Sequence, residues 1–143
     1  MSVPPIPEGF HTITPNLIVQ GVEKAIEFYK KAFGAEEKLR LSLPDGTIVH
    51  CELAIGDSRL NIGEALDGWP AHPLLAQIYV EDSDALFERA VNAGARVIMP
   101  MTDMFFGSRE GRVVDSFGGT WTISTRKTMV SPEEMQRMLG TSV

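Results

Sequence analysis

His50 and Glu52 are the side chains whose types and spacing point most directly to chemistry. They stand two apart in Thr47–Ile55, a stretch whose alternation reads as a strand, so both project from one face. Val49, Cys51, Leu53 and Ile55 take the opposite face, the natural packing side. A carboxylate beside an imidazole raises its pKa and orients it, which makes an acid/base pair. The same residues also suit a polar pair at the open end of a sheet or at a dimer seam. Arg109 follows Phe105-Phe106-Gly107. Its planar fork suits a carboxylate or phosphate, with the Phe rings as an apolar wall. The alternative is an ion pair with Glu110 or Asp103. Asn16, Asn61 and Gln77 offer neutral amides that could bond a polar ligand or one another. Tyr79 shares the face of Gln77. Cys51 has packing parity and no basic neighbour on its face, so it is not expected to be a nucleophile.

The elements that must position these groups come in two similar sets. Asn16-Leu17-Ile18-Val19 and a helix-like stretch to Phe33-Gly34-Ala35 are echoed by Gln77-Ile78-Tyr79-Val80 and a stretch to Ala93-Gly94-Ala95. Such a repeat indicates two copies of one supersecondary unit. In the first copy, Thr12–Val19 reads as a strand, and a helix from Val22 to Ala32 stops at Gly34. Strands follow over Glu37–Leu43, Thr47–Ile55 and Arg59–Gly63. The second copy has a strand at Leu75–Val80 and a helix with Ser83 as its N-cap. A strand over Arg96–Met101 ends at Pro100, Thr102–Gly111 reads as a loop, and a last strand covers Thr120–Thr125. Ser131 caps a short terminal helix whose first position is Pro132. The order is βαβββ, twice. Met99, Met101 and Met104 add adaptable apolar surface or packing. Trp121 has core parity with Ile123, Trp69 could be a lid or a dimer contact, and His11 and His72 fall in loops.

With 143 residues, 43% hydrophobic and 22% charged, the chain reads as one globular domain with a real core. A net charge of −6 argues against a general nucleic-acid binder. One cysteine allows no internal disulfide and fits a reducing cytoplasm. No run is apolar enough for a membrane span. Met1–Glu8, with three prolines and no basic apolar leader, gives no secretion signal.

The order and the local motifs together resemble the vicinal oxygen chelate superfamily: glyoxalase I, bleomycin-resistance proteins and extradiol dioxygenases. The PhnB-like branch is the most similar part of it. The stretches that carry the likeness are Ala25–Ala35, Pro44-Asp45-Gly46 followed by His50 and Glu52, Ile55-Gly56-Asp57-Ser58, Ala90–Ala95, Phe106–Gly111 and Asp115–Trp121. The resemblance implies an α+β fold of two tandem βαβββ modules. Residues 12–64 and 75–126 would form the modules, with a linker at 65–74 and a tail at 127–143. Their curved mixed sheet would enclose a cavity, with helices on the convex side, within a homodimer. It also implies where metal-dependent members keep their ligands. Those places hold Thr14, Leu75 and Thr122, and a fourth falls near Asn61 or Gly63; none is His, Glu, Asp or Cys. No metal or other cofactor is therefore expected. The leading expectation is a cytoplasmic protein that binds a small organic molecule in the inter-module or dimer cavity. Asn16, His50, Glu52, Asn61, Gln77, Phe105 and Arg109 would form its site. The alternatives are a glyoxalase-type lyase or isomerase, using His50 and Glu52 as acid/base or at a relocated metal site, and a structural or regulatory dimer with a filled cavity.

Overall fold

The computed structural model describes residues 2–141. Strand β1 (Asn16–Val19), helix α1 (Val22–Phe33) and strands β2 (Glu36–Ser42), β3 (Ile48–Ile55) and β4 (Ser58–Glu64) form the first module. Strand β5 (Leu74–Tyr79), helix α2 (Ser83–Asn92) and strands β6 (Arg96–Asp103), β7 (Ser108–Val114) and β8 (Gly119–Arg126) repeat the order, and helix α3 (Pro132–Thr141) follows. The result is an α+β fold of two tandem βαβββ modules. Its sheets are four-stranded, ordered β1-β4-β3-β2 and β5-β8-β7-β6. Two compact units divide the chain, one reaching Leu74 and including Ser116–Gly119, the other holding Leu75–Asp115 and Thr120 onward.

In the first unit, α1 buries Ala25, Ile26, Tyr29, Ala32 and Phe33 at helical spacing. Leu17, Val19, Cys51, Leu53, Leu60 and Ile62 complete that core from the sheet. Each large apolar side chain taken from water contributes about 1.5–3 kcal/mol. The helix starts without a side-chain cap of its own. Glu64, at the end of β4, supplies one: its carboxylate accepts from the N–H groups of Gly21 (2.9 Å) and Val22 (3.2 Å). That satisfies donors an isolated helix leaves open and sets a negative charge at the positive end of the dipole. Gly34 ends the helix at φ 68, and the Ala35 N–H reaches back to the Tyr29 carbonyl.

β1 is shorter than the expected strand from Thr12. Pro15 has no N–H to give, and its carbonyl alone joins the sheet, accepting from Asn61. Thr14 therefore lies outside the strand.

In the second unit the expected loop over Thr102–Gly111 is mostly strand. β6 runs on to Asp103, the turn is confined to Met104–Gly107, and Gly111 sits inside β7. Two facts permit this. β6 is an edge strand, and Pro100 falls in a register shift between Met99 and Thr102, where its missing donor costs no ladder bond. At Gly111 a Cβ would stand 2.7 Å from the Phe87 ring and 2.8 Å from Met101 Sδ, so glycine makes room for α2. The N-cap of α2 is Asp82, whose carboxylate accepts from the Ala85 N–H, and not Ser83. Ser83 is buried; its N–H donates to Thr125 Oγ1 and its hydroxyl donates to the Arg109 carbonyl. Ser131 does cap α3, accepting from the Glu134 N–H at 3.1 Å.

Candidate functional site

Each sheet has one face covered by its helix and one without a helix, and most of the chemistry stands on the latter. On the first sheet the register aligns Asn16 with Asn61, Asn61 with Glu52, and Glu52 with Leu39. Partner residues share a face, so these four side chains form a row across all four strands. His50 lies beside it, partnered with Leu41. His50 Nε2 is 3.1 Å from Glu52 Oε2, with the imidazole as donor when Nε2 carries its proton. Both side chains are half-buried. Asn16 Nδ2 donates to the Thr14 carbonyl. Asn61 Oδ1 is different: it is shut away from solvent and accepts no hydrogen bond. A buried carbonyl without a donor is uncommon in a folded protein and calls for a reason. Leu39, Leu41 and the nearby Leu43 stay exposed.

On the second sheet, Gln77 stands between Leu75 and Tyr79 on the open face of β5. Leu75 and Tyr79 are 72% and 64% exposed. Below them lies a buried polar knot. The Ser124 hydroxyl donates to Glu110 Oε2 at 2.7 Å, and Gln77 Nε2 donates to Ser124 Oγ at 3.0 Å and to Glu110 Oε2 at 3.3 Å. Arg112, two residues along the same face, donates from Nε to Thr122 Oγ1 at 3.1 Å. Glu110 escaped sequence reasoning because Thr102–Gly111 reads as a loop, and without it Ser124 and Arg112 had no partner to mark them. Extending the alternation of Val113-Val114 backwards would have found Glu110, which then faces away from Arg109.

Arg109 is on the helix side of β7. Its Nε and Nη2 donate to the Asp84 carboxylate at 2.8 and 3.0 Å, and Nη1 donates to Asp103 at 3.2 Å. Those bonds, Asp84 first, raise the guanidinium pKa, and the same contact lowers that of Asp84. Phe105 is exposed in the β6–β7 turn, edge-on to Phe106 at 5.2 Å. Neither joins the knot on the second sheet. Trp121 is buried, and its Nε1–H donates to Asp115 at 2.8 Å. Cys51 is fully buried, and burial first, with the Glu37 carboxylate next, pushes its thiol up to about 11.

A divalent ion needs several N, O or S donors converging on one point. Among the described residues no three His, Cys, Asp or Glu side chains group in that way. The Thr122 hydroxyl is engaged by Arg112, Leu75 has no donor, and Glu64 is committed to α1. One imidazole and one carboxylate on the first face, and one carboxylate among an amide and a hydroxyl on the second, do not fit the metal centre that the fold family implies. A cleft of about 400 Å³ in the first unit, between Gly9, Glu36, Lys38 and Arg59, includes none of the site residues above.

Residues 9–123 match the family model described as Glyoxalase/Bleomycin resistance protein/Dioxygenase superfamily. A protein of Mycobacterium tuberculosis is 32% identical over 139 residues, which cover 90% of this chain and 82% of that one. Among solved structures, an Arabidopsis thaliana gene product is 27% identical with a TM-score of 0.64, over 82% of this chain and 99% of its own. TioX from Micromonospora sp. ML1 is 24% identical with a TM-score of 0.69, over 81% of this chain and 98% of its own. TnmS3 from Streptomyces sp. CB03234, described as an antibiotic binding protein, is 20% identical with a TM-score of 0.66, over 82% of this chain and 96% of its own.

Proposed function

The chain belongs to the glyoxalase/bleomycin resistance protein/dioxygenase superfamily, and on that premise we propose that it binds a small organic molecule without the divalent metal of its enzymatic relatives. One observation carries this reading: Asn61 Oδ1, buried and without a donor, in a row with Asn16 and Glu52. A ligand N–H or O–H would satisfy it, and the exposed leucines beside it would cover an apolar body. Binding draws on Asn16, His50, Glu52 and Asn61 on the first sheet. Arg109, held by Asp84 and Asp103, takes no part. A structural neighbour described as antibiotic binding supports sequestration as the style of use. The motifs Pro44-Asp45-Gly46 and Ile55-Gly56-Asp57-Ser58 support the PhnB-like branch. Val97 and Ile98, exposed on the edge strand β6, leave apolar surface that a homodimer would shelter. A cytoplasmic setting agrees with the single reduced cysteine.

Calorimetric titration with a panel of aromatic antibiotics, bleomycin among them, tests the reading in chelator-treated protein. At least one compound is expected to bind, and to bind more weakly to Asn61→Leu. Binding that appears only after a divalent metal is added back would overturn it. The His50–Glu52 bond favours a second reading, acid/base catalysis. That reading requires turnover that is lost in His50→Ala and follows the titration of one group.

A further inference from the structure

We propose that the second sheet binds a molecule with a cationic nitrogen, an ammonium or amidinium on an apolar body, and that Glu110 receives it. The inference goes beyond the ligand-binding reading above, which is argued from the first sheet. Glu110 is only 5% exposed, in the middle of β7 on the face without a helix. A carboxylate taken from water is costly unless a cation or several donors replace the hydration. The chain supplies part of that replacement. Ser124 and Gln77 both donate to the same oxygen, Oε2. Oε1 receives no hydrogen bond, and no Lys, Arg or His among the described residues forms an ion pair with Glu110. Arg109, next to it in the strand, turns to Asp84 on the other face, and Arg112, on the same face, turns to Thr122.

The surroundings suit the rest of such a molecule. Leu75 and Tyr79 flank Gln77 on β5 and are the exposed apolar groups of this face. An aromatic ring and an aliphatic chain beside an unpaired carboxylate oxygen recognise a cation with apolar substituents better than an anion or a neutral alcohol. The two donors to Oε2 hold the carboxylate in place, so Oε1 is oriented before the ligand arrives.

Three probes of one shape test this. The isotopically labelled full chain is titrated with phenethylamine, phenethyl alcohol and phenylacetate, and the amide signals of Gln77, Glu110 and Ser124 are followed. The amine is expected to move them with affinity about tenfold or more above that of the alcohol, and the acid to leave them unmoved. Glu110→Gln keeps the shape and an acceptor for Ser124, and is expected to bring amine and alcohol level. If that variant does not fold, the ratio of amine to alcohol in the unmodified chain decides the matter, because it needs no substitution. Equal affinity of alcohol and amine overturns the cation assignment and leaves small-molecule binding standing. So does a preference for the amine that survives in folded Glu110→Gln. No movement with any probe also overturns it. The antibiotic titration, read through Asn61 on the other sheet, judges the broader reading separately.

Discussion

Replacing Asn61 by Leu should make the unliganded protein more stable while weakening its binding. The side chain amide of Asn61 makes no hydrogen bond within the chain, and its oxygen is sealed from water. A buried polar atom without a partner costs about 1–3 kcal/mol relative to an apolar group of the same shape. Leucine is close to asparagine in size and fits a strand interior better. It would stand between Asn16 and Glu52 in the row, and no bond to a described residue is lost in the exchange. Part of the face remains open, so the gain is set near the lower half of the range, about 1–2 kcal/mol, or roughly 2–6 °C in Tm for a domain of this size. Urea unfolding at neutral pH measures it, with the midpoint rising and the slope unchanged. Asn61→Asp serves as the control. A carboxylate there stands directly across from Glu52, and like charges facing one another on paired strands destabilise. The reasoning is refuted if Asn61→Leu is less stable than the parent by more than about 0.5 kcal/mol. That result would mean the amide is already satisfied in the free protein, and the strongest structural mark of a ligand would be gone.

Other perturbations follow from the same structure. Glu64→Ala removes the carboxylate that bridges two N–H groups at the start of α1 and should cost about 1–2 kcal/mol in thermal unfolding; an unchanged Tm would show that water caps the helix equally well. Glu37 has its carboxyl held below the ordinary 4.5, chiefly by hydrogen bonds from Arg40, with Lys30 adding to the effect. A group depressed in the native state stabilises above its unfolded pKa, and the contribution is lost as the pH falls through the lowered native value. Glu37→Gln should therefore flatten the fall of stability between about pH 6 and pH 3, by roughly 0.5–1 kcal/mol. Cys51, buried and with its thiol raised to about 11, should resist thiol reagents at neutral pH and react once denaturant is added. Rapid labelling of the native protein would contradict that.

Much of this arrangement could be read from the residues. α1 announced itself through Val22, Ala25, Ile26, Tyr29 and Phe33 and through Gly34 where a left-handed residue was needed. His50 and Glu52 share a face because strand geometry requires it of residues two apart, and the structure sets them 3.1 Å from each other. The knot at Glu110 was hidden for a physical reason. Pro100 and Gly111 ordinarily break strands. Here an edge position and a register shift absorb the proline, and the ring of Phe87 uses the space beside the glycine. Those are tertiary circumstances that no local pattern states. Ser83 misled in a similar way. Asp82 and Ser83 are both good caps by type, and burial against Thr125 and the Arg109 carbonyl decided which of them faced the helix end.

The proposal at stake is that the first sheet, on its face without a helix, holds a small molecule through side chains alone. Chemical-shift mapping of the labelled protein, titrated with a binding antibiotic in the presence and absence of a strong chelator, tests it most directly. The predicted result is a set of perturbed signals that includes Asn16, Glu52 and Asn61, identical in both conditions. Signals of these three residues that stay unmoved, or a response that the chelator abolishes, would contradict it.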